Sequence, residues 1–429
     1  MLIMQYPNSH IEVIDNTTPQ FADFRVSDGG DIEIEQQFFG PGAPIYYTKK
    51  KDVLIISDSL RKLKEASGHK YEINLEMLPH FFYNGFIYGE HTLVKGVYKI
   101  PLSKRVTAGR NGVNIEPWND GRKEAEKQAD RKRASDYTDY KELEKSYKRH
   151  LRDVIREMCS GEISRPITMA LSGGYDSNCI LHFVKELFPE KGVLAICVGG
   201  INGVDERETA REITGYYPGV RFIDSVVSPE TLDFLDDIVF RLEGSVYERG
   251  IFLQYELARK LNQEGTDKIL CGECADQVFH EKSYTRHDEG FLYDYSNTPR
   301  EMAAYVVLPK SYILLNSFGI QGLYPFLDRR IVSIGKATAE INGLKKKFHK
   351  RFCEHNISSE IYPKLNKKGG STSLTAMFSS VSKVEQMVIG AKFYDPCFRI
   401  TGKYGRDEAL IDYLLSLKFI ESFERQFCD

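Results

Sequence analysis

The stretch Ile167-Thr168-Met169-Ala170-Leu171-Ser172-Gly173-Gly174-Tyr175-Asp176-Ser177 constrains this chain more than any other part of it. Residues 167–171 are a short apolar run of the kind that forms a buried strand, and Ser172-Gly173-Gly174 is a turn of small residues. From 176 to 187 apolar side chains return at helical spacing, through Ile180, Leu181, Phe183, Val184 and Leu187. The alternation continues with strands at 193–198, 221–226 and 268–271 and helices at 206–214 and 251–261. Strands separated by helices predict an α/β domain with a parallel, doubly wound sheet.

A strand that ends in glycines and runs into a helix gathers backbone N–H groups around one point, and the helix N-terminus adds partial positive charge. Gly173 and Gly174 let the main chain approach an anion closely. Ser172, Gly173, Gly174 and Ser177 are therefore candidate phosphate ligands. Asp176 in the same loop would repel a bare phosphate, which points to a divalent metal shared between them. No Gly-Lys-Ser/Thr follows, so this is not a Walker loop, and the third glycine of a dinucleotide fingerprint is missing. The segment Leu270-Cys271-Gly272-Glu273-Cys274-Ala275-Asp276 follows the last of these strands. It puts two carboxylates, Glu273 and Asp276, where open parallel sheets bind ligands. Asp276 with Asp176 would complete a magnesium site.

The first 120 residues read differently. Short β-branched runs at 43–48 and 52–57, joined by Lys49-Lys50-Lys51, predict a hairpin. Further strands are expected within 85–89 and 92–101, with helices at 60–66 and 74–84. Residues 119–139 are dense in charge and poor in apolar side chains. A boundary there divides a small β-rich domain, 1–120, from 121–429, which opens with a helix carrying Tyr140, Leu143, Tyr147, Leu151, Val154, Ile155 and Met158 on one face. Lys and Arg number 58 against 61 Asp and Glu, which leaves no global basic field for a long nucleic acid. No apolar run reaches the roughly 18 residues that span a bilayer, and no signal-peptide pattern opens the sequence, so a cytoplasmic protein is expected. Eight dispersed cysteines do not form a disulfide framework.

Ser172-Gly173-Gly174-Tyr175-Asp176-Ser177 resembles the pyrophosphatase loop of the ATP-dependent, AMP-forming synthetases. Gly272, Glu273, Ala275 and Asp276 match the Ser-Gly-Glu-Gly-Ala-Asp-Glu loop of class B asparagine synthetases. Asp205-Glu206 with Ala210, and Tyr324-Pro325-Phe326-Leu327-Asp328, resemble two more segments of that family, in the right order. Gln321 and Leu323 stand where those enzymes usually carry Glu and Arg, which argues against aspartate as the substrate. The resemblance implies an adenine-nucleotide α-hydrolase-like fold with ATP and Mg2+ as cofactors. It implies nucleotide contacts from Leu171, Val198 and Gly272 beside the loop residues, and metal ligation by Asp176 and Asp276. Glu273 would position or deprotonate an amine; a plain β-lactam synthetase tends to carry Tyr there.

Lys347-Phe348-His349-Lys350-Arg351 looks like the family's Lys-x-x-x-Arg helix start. Pro363-Lys364-Leu365, with the Gly, Ser and Thr residues after it, is similar to the catalytic-lysine segment of β-lactam synthetases and lasso-peptide cyclases; the register leaves Lys364 and Lys367 both as candidates. Glutamine-hydrolysing asparagine synthetases begin Met-Cys, but position 2 here is Leu and no Cys occurs before Cys159. Residues 44–99 still resemble the latter part of their glutaminase domain, as in β-lactam synthetases and lasso cyclases, and 409–419 resembles the terminal helix of the latter. Cys271-x-x-Cys274 is expected to fill positions where relatives carry Ser and Gly, because no second such pair is present to complete a thiolate site. His182 is expected to be packed or capping, while His280 and His287 lie near the acidic loop in sequence.

The expected activity is ATP-dependent activation of a carboxylate as an acyl-adenylate, followed by attack of an amine. The favoured substrate is a peptide cyclised as in lasso-peptide macrolactam formation, with partner proteins that process a leader peptide. Alternatives are a ligase acting on a small acid or sugar acid, a nucleotide-binding partner without turnover and, more distantly, a tRNA-modifying enzyme.

Overall fold

Antiparallel pairing organises the N-terminal part and parallel pairing the rest of the chain. The protein is described by a computed structural model over residues 44–51, 53–100, 140–160, 165–200, 205–279, 303–340, 348–365, 392–393 and 406–428, together with the short strands named below. Strands β1 (Leu2–Gln5), β2 (Ile11–Asp15), β5 (Tyr46–Lys50), β6 (Val53–Ser57) and β7 (Tyr98–Lys99) form one sheet in the order β2-β1-β6-β5-β7. Strands β3 (Ala22–Val26), β4 (Ile32–Gln36), β8 (Lys104–Gly109) and β9 (Gly112–Pro117) form a second, in sequential order. The lysine-rich turn closes the expected hairpin, Tyr47 pairs with Ile56, and Lys51 takes a left-handed φ of 55°. Helices α1 (Leu60–Ser67) and α2 (Leu78–Asn84) follow.

The strands expected within 85–89 and 92–101 shrink to Tyr98–Lys99, with isolated bridges such as Ile73 to Val94. The cause is backbone geometry: Gly85, Gly89 and Gly96 have φ of 78°, 72° and 76°, and each turns the chain out of an extended run. The apolar residues between them, including Phe86, Ile87, Leu93 and Val94, are still buried.

In the second part, α3 (Tyr140–Cys159) turns Leu143, Tyr147, Leu151, Val154 and Ile155 inward. The periodicity that predicted the helix is thus its core face, at about 1.5–3 kcal/mol for each fully buried large apolar side chain. Then come β10 (Ile167–Ala170), α4 (Tyr175–Leu187), β11 (Val193–Gly200), α5 (Arg207–Thr214), β12 (Val220–Val227), α6 (Leu235–Leu242), α7 (Gly250–Gln263), β13 (Lys268–Leu270) and the short α8 (Ala275–Val278). A two-residue pairing of β14 (Tyr284–Thr285) with β15 (Ser296–Asn297) precedes α9 (Leu308–Ser317) and β16 (Gln321–Leu323). Helices α10 (Arg329–Glu340), α11 (Phe348–Asn356) and α12 (Arg406–Phe423) complete the described elements. The sheet is parallel, in the order β12-β11-β10-β13-β16. Chain order reverses between β10 and β13, and the crevice beyond their carboxyl ends is where such sheets hold ligands.

The two parts share one core. Leu63, Phe81, Phe86 and Val94 pack with Ile238, Leu242 and Phe252, and with Leu414, Phe419 and Phe423 of α12. The Phe419 ring lies 5.6 Å from Phe81 and 5.6 Å from Tyr247. Glu243, buried at the end of α6 with a left-handed φ of 50°, accepts from Ser59 Oγ at 2.7 Å, Leu60 N at 2.5 Å and Arg61 Nε at 2.9 Å. A carboxylate of the α/β part thereby caps α1 of the N-terminal part, a favourable place for negative charge. The charge-dense stretch 119–139 lies outside the described residues.

Candidate active site

The two loops singled out in the sequence meet at the reversal point. The first leaves β10 at Leu171, whose N–H donates to Ile196 O at 2.8 Å, and Gly174 caps α4. Within the turn, Ser172 N donates to Ser177 Oγ at 3.0 Å, and Gly174 N donates to Ser172 Oγ at 3.1 Å. Buried Asn178 donates from Nδ2 to Ser172 O at 2.8 Å and Gly174 O at 2.7 Å, which fixes the loop carbonyls from behind. Gly173 N donates to Glu206 Oε2 at 3.1 Å, so this amide already holds one anionic oxygen. The loop has the donors of an anion cradle, and an incoming phosphate would compete with Glu206 at Gly173. Val198 lies two residues past Ile196 on the neighbouring strand, at the same carboxyl edge.

The second loop leaves β13. A Cβ built on Gly272 would stand 3.0 Å from Ser177 N and 3.1 Å from its Cα, so the loops are in backbone contact. Cys274 takes φ of 71° and starts α8, whose first turn carries Asp276. A left-handed residue is what the matching Gly of the resembled loop would supply. Glu273 Oε2 is buried with no hydrogen-bond partner among the described residues. Burial pushes the Glu273 carboxyl up, partly offset by the Lys310 ammonium and a hydrogen bond from Ser311. Burial pulls the Lys310 ammonium down, but Glu248 and Glu273 outweigh it and hold it raised. Lys310 Nζ donates to Glu248 Oε2 at 2.6 Å, Gly250 N donates to Glu248 Oε1 at 2.8 Å, and Ser311 Oγ lies 3.0 Å from Tyr324 Oη. The start of α7, the acidic loop after β13 and the first turn of α9 thus bring together two carboxylates and one ammonium.

Asp176, in the first turn of α4, faces His349 of α11, with Oδ1 3.1 Å from Nε2. His349 is fully buried, and its Nδ1 lies 3.0 Å from Tyr147 Oη. Sequence reasoning missed the roles of His349, Lys310 and Glu248. For Lys310 the signal was a lone lysine in the apolar run 305–315; for His349 nothing local marks the contact.

The asparagine synthase family profile matches residues 146–314, which contain both loops. That span carries an asparagine synthetase-like domain. A glutamine-hydrolysing asparagine synthetase 2 of Lotus japonicus is 21% identical over 205 residues, 42% of this chain and 33% of that protein. The chain therefore spans about a third of the curated relative it matches. Among solved structures, the U34-tRNA thiolase NcsA of Methanococcus maripaludis, with its 4Fe-4S cluster, matches with a TM-score of 0.27 and 15% identity, covering 59% of this chain and 82% of that one.

In the asparagine synthetase-like domain, oxygen donors suit a hard cation. Asp176 and Asp276 sit in the first turns of helices that start from two abutting loops, and no three His, Cys, Asp or Glu side chains converge among the described residues. Two carboxylates completed by phosphate and water oxygens is the usual composition of a magnesium–nucleotide site. The cysteine pair has a different character: Cys271 and Cys274 are both buried and free, and burial pushes both thiols well up. Both stand as small buried side chains. His182 packs at 3.7 Å from Glu186, and burial holds its imidazole below the usual range. His280, His287 and Lys367 lie outside the described residues. Lys364, on a short turn at Tyr362–Lys364, pairs with Glu212 of α5. Glu206, which touches Gly173, flanks the other end of that helix, about 9 Å away along its axis. No described helix is long and apolar enough to cross a membrane.

Proposed function

We propose that this chain is an ATP-dependent, AMP-forming carbon–nitrogen ligase. The observation that carries the reading is the backbone contact between the Ser172-Gly173-Gly174 turn and the Gly272-Glu273 turn at the reversal point of the sheet. The first turn and Ser177 bind the phosphates of ATP. Asp176 and Asp276 would hold Mg2+, which would supply charge neutralisation at those phosphates. A substrate carboxylate oxygen attacks the α-phosphorus, and pyrophosphate leaves. An amine then attacks the acyl carbon, AMP leaves with that oxygen, and the amine gives up one proton. Glu273, in a cluster shared with Glu248 and Lys310, is placed to take that proton from the neutral amine, a role that a carboxyl held above its usual range suits. Lys364 or Lys367 neutralises charge on the departing group, for which Lys364 must leave Glu212.

The preferred substrate is a peptide whose side-chain carboxylate is joined to its own amino terminus, with leader-processing partner proteins. One feature supports this: Gln321 and Leu323 replace the Glu and Arg expected beside aspartate. The test is substrate-dependent pyrophosphate release from ATP and Mg2+, with aspartate plus ammonia in one arm and peptides encoded nearby in the other. Release with a peptide, accompanied by loss of one water in mass, is expected. Release with aspartate and ammonia overturns the macrolactam reading, and ATP binding without release in any arm overturns the ligase reading. Asp176→Asn is expected to abolish release.

A further inference from the structure

We propose that His349 is a positioning residue for Asp176, holding one carboxylate oxygen so that the side chain is already oriented for the cation. The inference rests on the metal reading above. His349 Nε2 stands 3.1 Å from Asp176 Oδ1, within ion-pair range but without the alignment of a hydrogen bond; because a carboxylate can only accept, the contact is favourable when Nε2 carries the hydrogen. Nδ1 then accepts from the Tyr147 hydroxyl at 3.0 Å. The ring has little freedom to swing away. It is fully buried, lies parallel to Phe279 with centroids 5.0 Å apart and planes 5° apart, and meets the edge of Phe326 at 5.3 Å. Cys353 Sγ, 3.7 Å from Nε2, closes the remaining side.

The chain of contacts runs from α3 through α11 to α4, and so ties the loop carboxylate to the rigid core. The Asp176 side chain is 14% exposed, which keeps it at the edge of the crevice with one oxygen directed inward. A carboxylate fixed in this way loses less rotational freedom when it binds a cation. Outer partners of this kind are commonly worth about 10- to 100-fold in metal affinity.

The experiment is a titration of Mn2+ into the full chain with α,β-methylene-ATP, followed by electron paramagnetic resonance so that no turnover is needed. The comparison is among wild type, His349→Ala and His349→Gln, with nucleotide affinity in the absence of metal and a melting curve as controls. His349→Ala is expected to weaken Mn2+ binding about tenfold. His349→Gln, whose amide N–H can reach the Nε2 position, is expected to restore most of it, with metal-free nucleotide affinity unchanged throughout. Wild-type affinity in folded His349→Ala, or equal loss in His349→Gln, overturns the inference. If His349→Ala does not fold, Tyr147→Phe carries the same test: about threefold weaker binding supports the inference, and no change overturns it. Failure of the wild type to bind Mn2+ with the nucleotide takes down the metal reading and this inference with it, a result distinct from the others.

Discussion

Gly272 rests on Ser177: a Cβ at 272 would come within 3.0 Å of the Ser177 amide nitrogen. Two loops about a hundred residues apart in sequence are in contact there because one of them has no side chain at that point. Gly272→Ala is expected to push the acidic loop off the phosphate loop. ATP affinity should fall at least about tenfold, or about 1.4 kcal/mol, as read by calorimetric titration. Overpacking should cost about 1–3 kcal/mol of stability in the same variant.

Glu273→Gln should separate stability from activity. The buried carboxyl is held above its usual range, so it favours folding below the unfolded pKa and loses that contribution as pH rises through its raised folded value. At pH 7 the Gln variant is therefore expected to be more stable than wild type, with the advantage disappearing near pH 4. Pyrophosphate exchange should persist while amide formation is lost. Equal melting curves at both pH values would count against the burial account.

Lys99 gives the opposite sign of titration. Its ammonium is buried, donates to Ile87 O and faces the Tyr305 ring at 5.1 Å, and burial pulls its pKa down to about 7. Above the unfolded lysine value both states are neutral. As pH falls from about 10.4 to about 7 the unfolded chain gains the proton first, and stability drops by up to about 1.4 kcal/mol per unit. Lys99→Met removes this slope. The variant should gain most over wild type near pH 7 and progressively less towards pH 10, measured by urea unfolding.

Phe419→Ala removes a ring in contact with both Phe81 and Tyr247. A loss of about 3–5 kcal/mol is expected. Because the core is shared, near-UV dichroism and ATP binding should fail in one transition. Two separated transitions would show that the parts unfold independently.

The parallel sheet was legible because each of its first strands is a run of apolar residues bounded by turn signals and followed by an amphipathic helix. The expected helix 251–261 falls inside Gly250–Gln263, and the expected strand 221–226 falls inside Val220–Val227. β16 was missed: Gln321-Gly322-Leu323 has no β-branched residue, and it becomes a strand by pairing with Lys268, Ile269 and Leu270. Residues 85–101 were misread because their hydrophobicity reflects burial in turns rather than sheet pairing. The phosphate loop was legible because its chemistry is local. Lys310 and His349 were not, because their roles depend on Glu248, Glu273, Tyr147 and Asp176, which only the folded chain brings near.

The shared core also sets a timetable for synthesis. Phe81 emerges from the ribosome early and must wait for Phe419 before its surroundings are complete. At roughly 5–20 residues per second that interval is on the order of tens of seconds. During it the face of α2 that will meet α12 is bare apolar surface, exposed to every other nascent chain. The last long helix is thus the event that ends the protein's most vulnerable period, and a ribosome that stalls before residue 406 leaves behind a chain with an exposed seam.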